Sequence, residues 1–196
     1  MIQVKNLTVK TNEISFDVEN VDISYMNALR RTMISKLKTF AIHYLKVNKN
    51  TSKIPEDFIA HRIGLIPIRS LSQEPIVFPY HFYLKKINTT NQVLHVYSHD
   101  ILDNENKFFI KENILLFSLH PNTEIDIECF VTEGTGNQHS KWCPVVAPRC
   151  VHSGKSNAFL MTTEVIENYD TSKILIDSMK ILQNDLEFFK KENNII

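Results

Sequence analysis

Apolar and polar residues alternate along 2–9 (IQVKNLTV) and 13–19 (EISFDVE), with the turn-forming pair Thr11-Asn12 between them. This pattern predicts a β-hairpin. Met26, Leu29, Met33 and Leu37 then recur at helical spacing, with Arg30, Arg31 and Lys36 off that stripe; they predict a helix over about 24–37, capped by Asp22 or Ser24. Residues 40–47 (FAIHYLKV) read as a strand. In the segment 48–70, Pro55 suits the first turn of a short helix and Glu56 and Asp57 suit its N-terminal dipole. Gly64 ends that helix and Pro67 blocks its continuation. Residues 76–87, 92–97, 107–118 and 124–132 carry β-like patterns broken by Asn, Asp and Pro, and 133–144 (EGTGNQHSKWCP) is polar enough to be a loop. Strands follow at about 145–152 and 158–167.

The C-terminal pattern is the clearest. Thr171 or Ser172 caps a helix that runs to about Lys191. Leu175, Met179, Leu182, Leu186 and Phe189 follow 4-3-4-3 spacing, and Ile174, Ile181 and Phe188 widen the stripe. Roughly 20 helical residues span about 30 Å, and a stripe that long and wide has to be buried. Packing on its own domain and a helical dimer seam both satisfy that demand.

Composition narrows the class. In 196 residues, Lys plus Arg and Asp plus Glu each total 22, 43% are hydrophobic and only four are glycine. That is an ordinary globular chain of one domain or two small ones, neither disordered nor collagen-like. Neutral charge leaves no overall field for nucleic acid or an acidic membrane. Three cysteines, Cys129, Cys143 and Cys150, cannot all pair within one chain, so a reducing compartment is expected. The N-terminus lacks the apolar run of a secretory signal, and the longest apolar stretch, Ile63–Ile68, is too short to span a bilayer. No membrane partner is expected.

Catalytic chemistry is thin. Gly154-Lys155-Ser156 matches the end of a Walker A box, but Arg149 stands where the motif needs its first glycine. Gly134-Thr135-Gly136 lacks the third glycine of a dinucleotide loop. His139, Cys143, Cys150 and His152 offer zinc donors, yet the spacing His-x3-Cys followed by Cys-x-His suits two small buried thiols and two solvated imidazoles better. A Cys–His nucleophile from these residues lacks an orienting partner. The carboxylates are scattered, with no cluster for a metal-dependent reaction. The residues alone describe a non-enzymatic chain with no cofactor.

Three separated blocks are more specific. They are Asn27-Ala28-Leu29-Arg30-Arg31; then Asn50-Thr51-Ser52 with Ile59-Ala60-His61-Arg62-Ile63-Gly64-Leu65-Ile66-Pro67; then Gly134-Thr135-Gly136-Asn137-Gln138-His139-Ser140-Lys141-Trp142-Cys143-Pro144-Val145. Collinear, and followed by a long amphipathic helix, they resemble the alpha-like subunit of multisubunit DNA-dependent RNA polymerases: the third-largest eukaryotic subunit, the archaeal D subunit and the N-terminal domain of bacterial alpha. The third block looks like the eukaryotic and archaeal branch. The similarity covers essentially the whole chain.

The resemblance implies an α+β, two-part fold: a discontinuous dimerisation domain, 1–47 and 156–196, and an inserted, mostly β domain, 48–155. It implies a non-catalytic role in polymerase assembly. The chain would pair with a small alpha-like subunit of the eleventh or L type, dock on the second-largest subunit, neighbour other small polymerase subunits, and meet DNA and RNA only through the complex. The dimer interface would use Met26, Leu29, Met33, Leu175, Met179, Leu182, Leu186 and Phe189. The large-subunit interface would use Asn27, Arg30, Arg31, His61, Arg62, Gly64, His139, Lys141 and Trp142. Without the resemblance the arginines and His61 read as solvated charges, Lys141 as a loop charge, and Trp142 as a core anchor or an interface hot spot.

There are departures from the family pattern. Many relatives bind zinc or an iron–sulfur cluster through cysteines of the inserted domain, and region 76–115 here contains none. Cys143 stands where relatives usually have a small or polar residue. The short chain points to a compact archaeal-like or viral version acting in the cytoplasm, with the nucleus as the alternative. Two competing functions remain: a free-standing dimerising module that binds nucleic acid, disfavoured by neutral charge and the lack of a basic-aromatic stripe, and a small NTP-using enzyme, disfavoured by Arg149.

Overall fold

The structure, a computed structural model, describes residues 2–72, 74–154 and 157–193. The chain divides into two compact units, Met1–Thr39 with Thr135–Ile196, and Phe40–Gly134.

In the first unit, β1 (Gln3–Lys10) and β2 (Glu13–Glu19) form the expected hairpin. They are followed by α1 (Ile23–Ser35). Of the two candidate caps Asp22 serves, its carboxylate accepting from the Ser24 N–H at 2.8 Å. β3 (Lys38–Asn50) then leads into the second unit, and β9 (Thr123–Thr135) leads back. The first unit is completed by β10 (Val145–His152), β11 (Ala158–Val165) and α3 (Thr171–Glu192).

The strand order is β1-β2-β11-β10, antiparallel throughout. One face of this sheet supplies Ile14, Phe16, Val18, Phe159, Met161 and Val165 to a core closed by Met26, Leu29 and Met33 of α1 and Ile174 and Leu175 of α3. This corrects the domain boundaries. The expected second boundary, 155/156, would cut β10 from β11, whose side-by-side pairing places both in the first unit. Lys155 and Ser156 themselves lie outside the described residues.

One cap and two ends also differ from expectation. Asp170, rather than Thr171 or Ser172, caps α3 and accepts from the Ser172 N–H at 3.0 Å. The Thr171 hydroxyl instead donates to the Thr11 carbonyl at 2.7 Å, pinning the start of α3 to the hairpin turn. Helix α1 stops at Ser35, and Leu37 is buried from the turn beyond it. Strand β9 runs three residues into the expected loop, to Thr135.

The second unit is mostly β. A three-stranded sheet has the order β3-β9-β5, with β5 (Tyr80–Asn88) paired along its whole length with β9. Two small ribbons join β4 (Ile68–Ser70) to β7 (Phe108–Ile110) and β6 (Leu94–Tyr97) to β8 (Leu115–Leu119). The single strand expected over 107–118 is thus two, interrupted where Asn113 takes φ 61°. Helix α2 (Glu56–Gly64) ends at Gly64 as expected and buries Ile59 and Ile63 in the core that also holds Phe82, Leu84, Ile125 and Ile127.

Candidate subunit interface

Helix α3 changes character along its length. Thr171, Ile174, Leu175 and Ser178 are buried; Met179, Ile181 and Leu182 are half-buried on the rim of the core; every residue from Gln183 to Glu192 is exposed. Leu186, Phe188 and Phe189 are 59%, 66% and 58% exposed. A shallow groove beside α1 is lined by Tyr25, Met179, Leu182, Gln183, Leu186, Glu187 and Lys190. Lys36, just past α1, holds Asp185 at 2.6 Å and fixes the two helices together. The apolar stripe therefore has two jobs: its first half closes the core and its second half projects uncovered. Met26, Leu29 and Met33, expected at the dimer interface, are each 0% exposed and pack within the core of their own unit.

The residues expected at the large-subunit interface sort into exposed groups and groups committed to the fold. Asn27, Arg31, His61 and His139 are exposed. Arg30 is half-buried and donates through Nε (3.2 Å) and a terminal nitrogen (2.8 Å) to Asn27 Oδ1, so these two act as one unit on α1. Arg62 donates to the carbonyls of Leu115 and Leu116, tying α2 to β8, and its guanidinium is taken up by its own unit. Gly64 is half-buried, and a Cβ there would lie 3.3 Å from the Ile42 carbonyl oxygen.

The loop after β9 is seated by its backbone. A Cβ on Gly136 would lie 1.9 Å from the Ile34 carbonyl oxygen, so only glycine allows the approach. The Asn137 N–H then donates to the Ser35 carbonyl at 3.1 Å. Gln138 turns the chain by accepting from the Thr135 N–H (2.8 Å), and His139 Nδ1 accepts from the Lys141 N–H (3.1 Å). Trp142 is 5% exposed, with its carbonyl accepting from the Thr39 hydroxyl at 2.7 Å, so of its two readings the core anchor holds. Lys141 Nζ lies 4.6 Å from the centre of the Trp142 ring, and burial lowers its pKa.

The second block likewise serves the fold. Asn50 Oδ1 accepts from the backbone N–H (3.0 Å) and hydroxyl (2.6 Å) of Ser52, while its Nδ2 donates to the Ile54 carbonyl (3.1 Å). The Thr51 N–H donates to the Glu124 carbonyl at 2.9 Å, and its hydroxyl accepts from the Glu124 N–H at 2.8 Å. This Asx turn ends β3 and launches the chain toward α2.

Among the described residues no three His, Cys, Asp or Glu side chains come together as a metal site. Cys143 Sγ donates to the Val145 carbonyl (3.2 Å), and His152 Nδ1 accepts from the Gly154 N–H (3.1 Å). Cys129 is 0% exposed, and burial pushes its thiol up to about 12. Because the thiolate is the reactive form, Cys129 should stay unmodified by a thiol reagent at pH 8 in the native protein, whereas Cys143 and Cys150, both half-buried, should label first. Mass spectrometry of labelled peptides checks this; labelling of all three at equal rates would refute it.

Comparison with known proteins shows the family of the chain. The model of the RNA polymerase Rpb3/Rpb11 dimerisation domain matches residues 15–186. The chain belongs to that family. It is 33% identical over 198 residues to the DNA-directed RNA polymerase subunit Rpo3 of Methanocaldococcus jannaschii, covering 100% of this chain and 97% of that protein. It is 32% identical over 202 residues to a conjugation stage-specific protein of Tetrahymena thermophila, covering 86% of this chain and 62% of that one. It is 25% identical over 172 residues to the RNA polymerase II subunit RPB3 of Schizosaccharomyces pombe, covering 74% and 57%. The chain thus spans nearly all of the archaeal relative and about three fifths of the other two. The α+β architecture, with a sheet-and-helix unit interrupted by a mostly β one, is that of the Rpb3/Rpb11 family. Its relatives include subunits of DNA-directed RNA polymerases in archaea and eukaryotes.

Proposed function

We propose that this chain is the alpha-like assembly subunit of a DNA-dependent RNA polymerase. It has no catalytic residue of its own, pairs with a small alpha-like subunit, and docks as a heterodimer on the second-largest subunit. The observation that carries the reading is the split stripe of α3: a helix whose N-terminal half closes the core and whose C-terminal half offers Leu186, Phe188 and Phe189 to solvent, in a member of a dimerisation-domain family. An apolar helical face of this kind is left for a partner rather than for water. Leu175 belongs to the core that anchors the helix, and Met179 and Leu182 border the groove beside Tyr25.

Docking on the large subunit falls to the polar blocks, with each unit carrying a share. Arg31 and the Asn27–Arg30 pair serve on α1, His61 serves on α2, and His139 and Lys141 serve on the loop that Gly136 seats. Arg62, Gly64 and Trp142 hold those surfaces in shape. DNA and RNA are met through the complex, and the compartment follows the polymerase, cytoplasmic for an archaeal or viral enzyme and nuclear otherwise.

The reading is tested by co-purification of the tagged chain with a small alpha-like polypeptide and two very large ones. Truncating one partner of a desolvated charged pair costs about 2–5 kcal/mol, and a rim charge far less. Arg31→Ala with His61→Ala should therefore leave the small heterodimer intact and lower recovery of the second-largest subunit at least about tenfold at matched salt. Wild-type recovery would show that these two residues are ordinary solvated groups.

A further inference from the structure

Strand β10 forms one edge of the four-stranded sheet, and its hydrogen-bond phase fixes which of its backbone groups are left open. The Ser153 N–H donates to the Ala158 carbonyl at 3.0 Å, one rung beyond the opposed His152 and Phe159. Rungs that exchange hydrogen bonds alternate along an antiparallel pair. Val151 and Arg149 therefore turn their backbone groups to β11, and Cys150 and His152 turn theirs outward. The other side of β11 has the matching phase: the Val165 N–H donates to the Asn12 carbonyl at 2.9 Å, so its odd-numbered residues bond β2 and its even-numbered ones serve β10. Among the described residues, the outward N–H and C=O groups of Cys150 and His152 have no hydrogen-bond partner. Open edges are usually blunted by bulges, proline or charge. The first half of β10 is blunted: the register shifts between Val146 and Arg149, Ala147 takes φ 45°, and Pro148 has no N–H. The second half is not. Arg149 folds back to donate from Nε to Thr162 Oγ1 at 2.8 Å, and Cys150-Val151-His152 follows with no lysine, arginine or proline.

The two sides of this short edge differ in chemistry. Cys150 lies opposite Met161 and His152 opposite Phe159, both core residues, so these two side chains face the helices. On that side Ile23, Ser24, Asn27 and Arg30 of α1 form a groove with Cys150, and Arg30 is its one charged lining residue. Burial raises the Cys150 pKa, and the nearby Arg30 charge partly opposes the rise. Asn27 occupies only two of the five N–H donors of Arg30, and Ile23 is 53% exposed. On the solvent side Val151 lies opposite Leu160, and they are 51% and 38% exposed. An extended segment laid along the edge meets all of these demands at once. Its main chain pairs with Cys150 and His152, and its side chains alternate between the two sides. A carboxylate on the helix side reaches for Arg30, and the apolar residue next to it in sequence covers Val151 and Leu160.

We infer that the edge of β10 at Cys150–His152 accepts an extended segment of the second-largest subunit as a fifth strand, with an acidic residue of that segment at Arg30 and an apolar one over Val151. The inference rests on the large-subunit docking proposed above and gives it a main-chain mode. It is tested in the reconstituted complex by paired substitutions. Cys150→Pro and His152→Pro each delete one outward N–H and no bond to β11, whereas Cys150→Ala and His152→Ala delete the side chain and keep the N–H. Each proline variant should recover at least about fivefold less of the second-largest subunit than the alanine variant at the same position, with the small heterodimer unchanged. Hydrogen exchange read amide by amide is the second measurement, made on the unmodified chains, and it decides where a proline variant fails to fold. The Cys150 and His152 amides should exchange fast in the heterodimer and slowly once the large subunit is bound, while the Val151 amide is protected in both. Equal recovery by folded proline and alanine variants, or fast exchange at 150 and 152 in the full complex, would overturn the strand addition and leave the docking reading standing. Failure of the unmodified chain to recover the second-largest subunit at all would overturn both.

Discussion

Leu186→Asp combined with Phe189→Asp should abolish the heterodimer while leaving the chain folded. Both side chains are more than half exposed in the chain alone, so the substitutions remove little of its own packing. At an interface, each loses about 1.5–3 kcal/mol of apolar burial. Each also places a carboxylate where it is desolvated without a counter-charge, which adds several kcal/mol. The two positions together cost at least about 5 kcal/mol, which is more than a thousandfold in dissociation constant. Gel filtration of the co-expressed pair should show the heterodimer peak replaced by separate chains, with far-UV circular dichroism unchanged. Leu182 is a poorer probe, because it is half-buried against Met179 and the core and its substitution mixes folding with association. A double variant that still co-elutes with its partner would mean that the seam does not run along this half of α3.

Much of this architecture can be read locally, and the reason is periodicity. The strands β2 and β10 and the helix α3 fall within a residue or two of the pattern, because one covered face imposes period 2 or 3.6 along each. What periodicity cannot say is which surface does the covering. Met26, Leu29 and Met33 repeat like an interface stripe, but the side chains that meet them come from β2, β11 and α3, up to about 150 residues away in the chain. For the same reason the unit boundary after β10 was misplaced: the pairing of β11 with β2 spans the whole second unit and leaves no local mark. The short strand β4 has three residues, too few to show alternation.

The candidate site was legible as residues and less so as roles. Arg62 reads as a surface cation, and only the tertiary fold brings the carbonyls of Leu115 and Leu116 to it. Conversely, the apolar face of β1 carried a signal that strict alternation obscured. Ile2, Val4, Leu7 and Val9 step by 2, 3 and 2, and the step of 3 is the bulge. Asn6 at that step, tolerant of positive φ, was the available clue.

Gly136→Ala should be more damaging than Gly64→Ala or Gly154→Ala. Glycine in a polar loop suggests conformational freedom, but here the constraint is space: the added methyl would lie 1.9 Å from the Ile34 carbonyl oxygen and 3.1 Å from its carbon, both backbone atoms near the end of α1. No side chain can swing away to relieve this, so the loop must lift off the helix and lose the Asn137–Ser35 hydrogen bond. Overpacking of this kind costs about 3 kcal/mol or more, which for a chain of this size lowers Tm by roughly 10 °C. Gly64→Ala is the control for crowding: its Cβ meets the Ile42 oxygen at a tolerable 3.3 Å, and helix propensity offsets the strain, so its effect should stay within about 1 kcal/mol. Gly154→Ala is the control for backbone conformation, at φ +82° with no atom within 4 Å, and should cost about 1 kcal/mol. Thermal unfolding of the three variants separates these causes, and a Gly136→Ala variant as stable as the other two would show that the loop is not held against α1. The same variant should also recover less of the second-largest subunit, because His139 and Lys141 reach their proposed positions only when the Gly136 backbone is seated on Ile34.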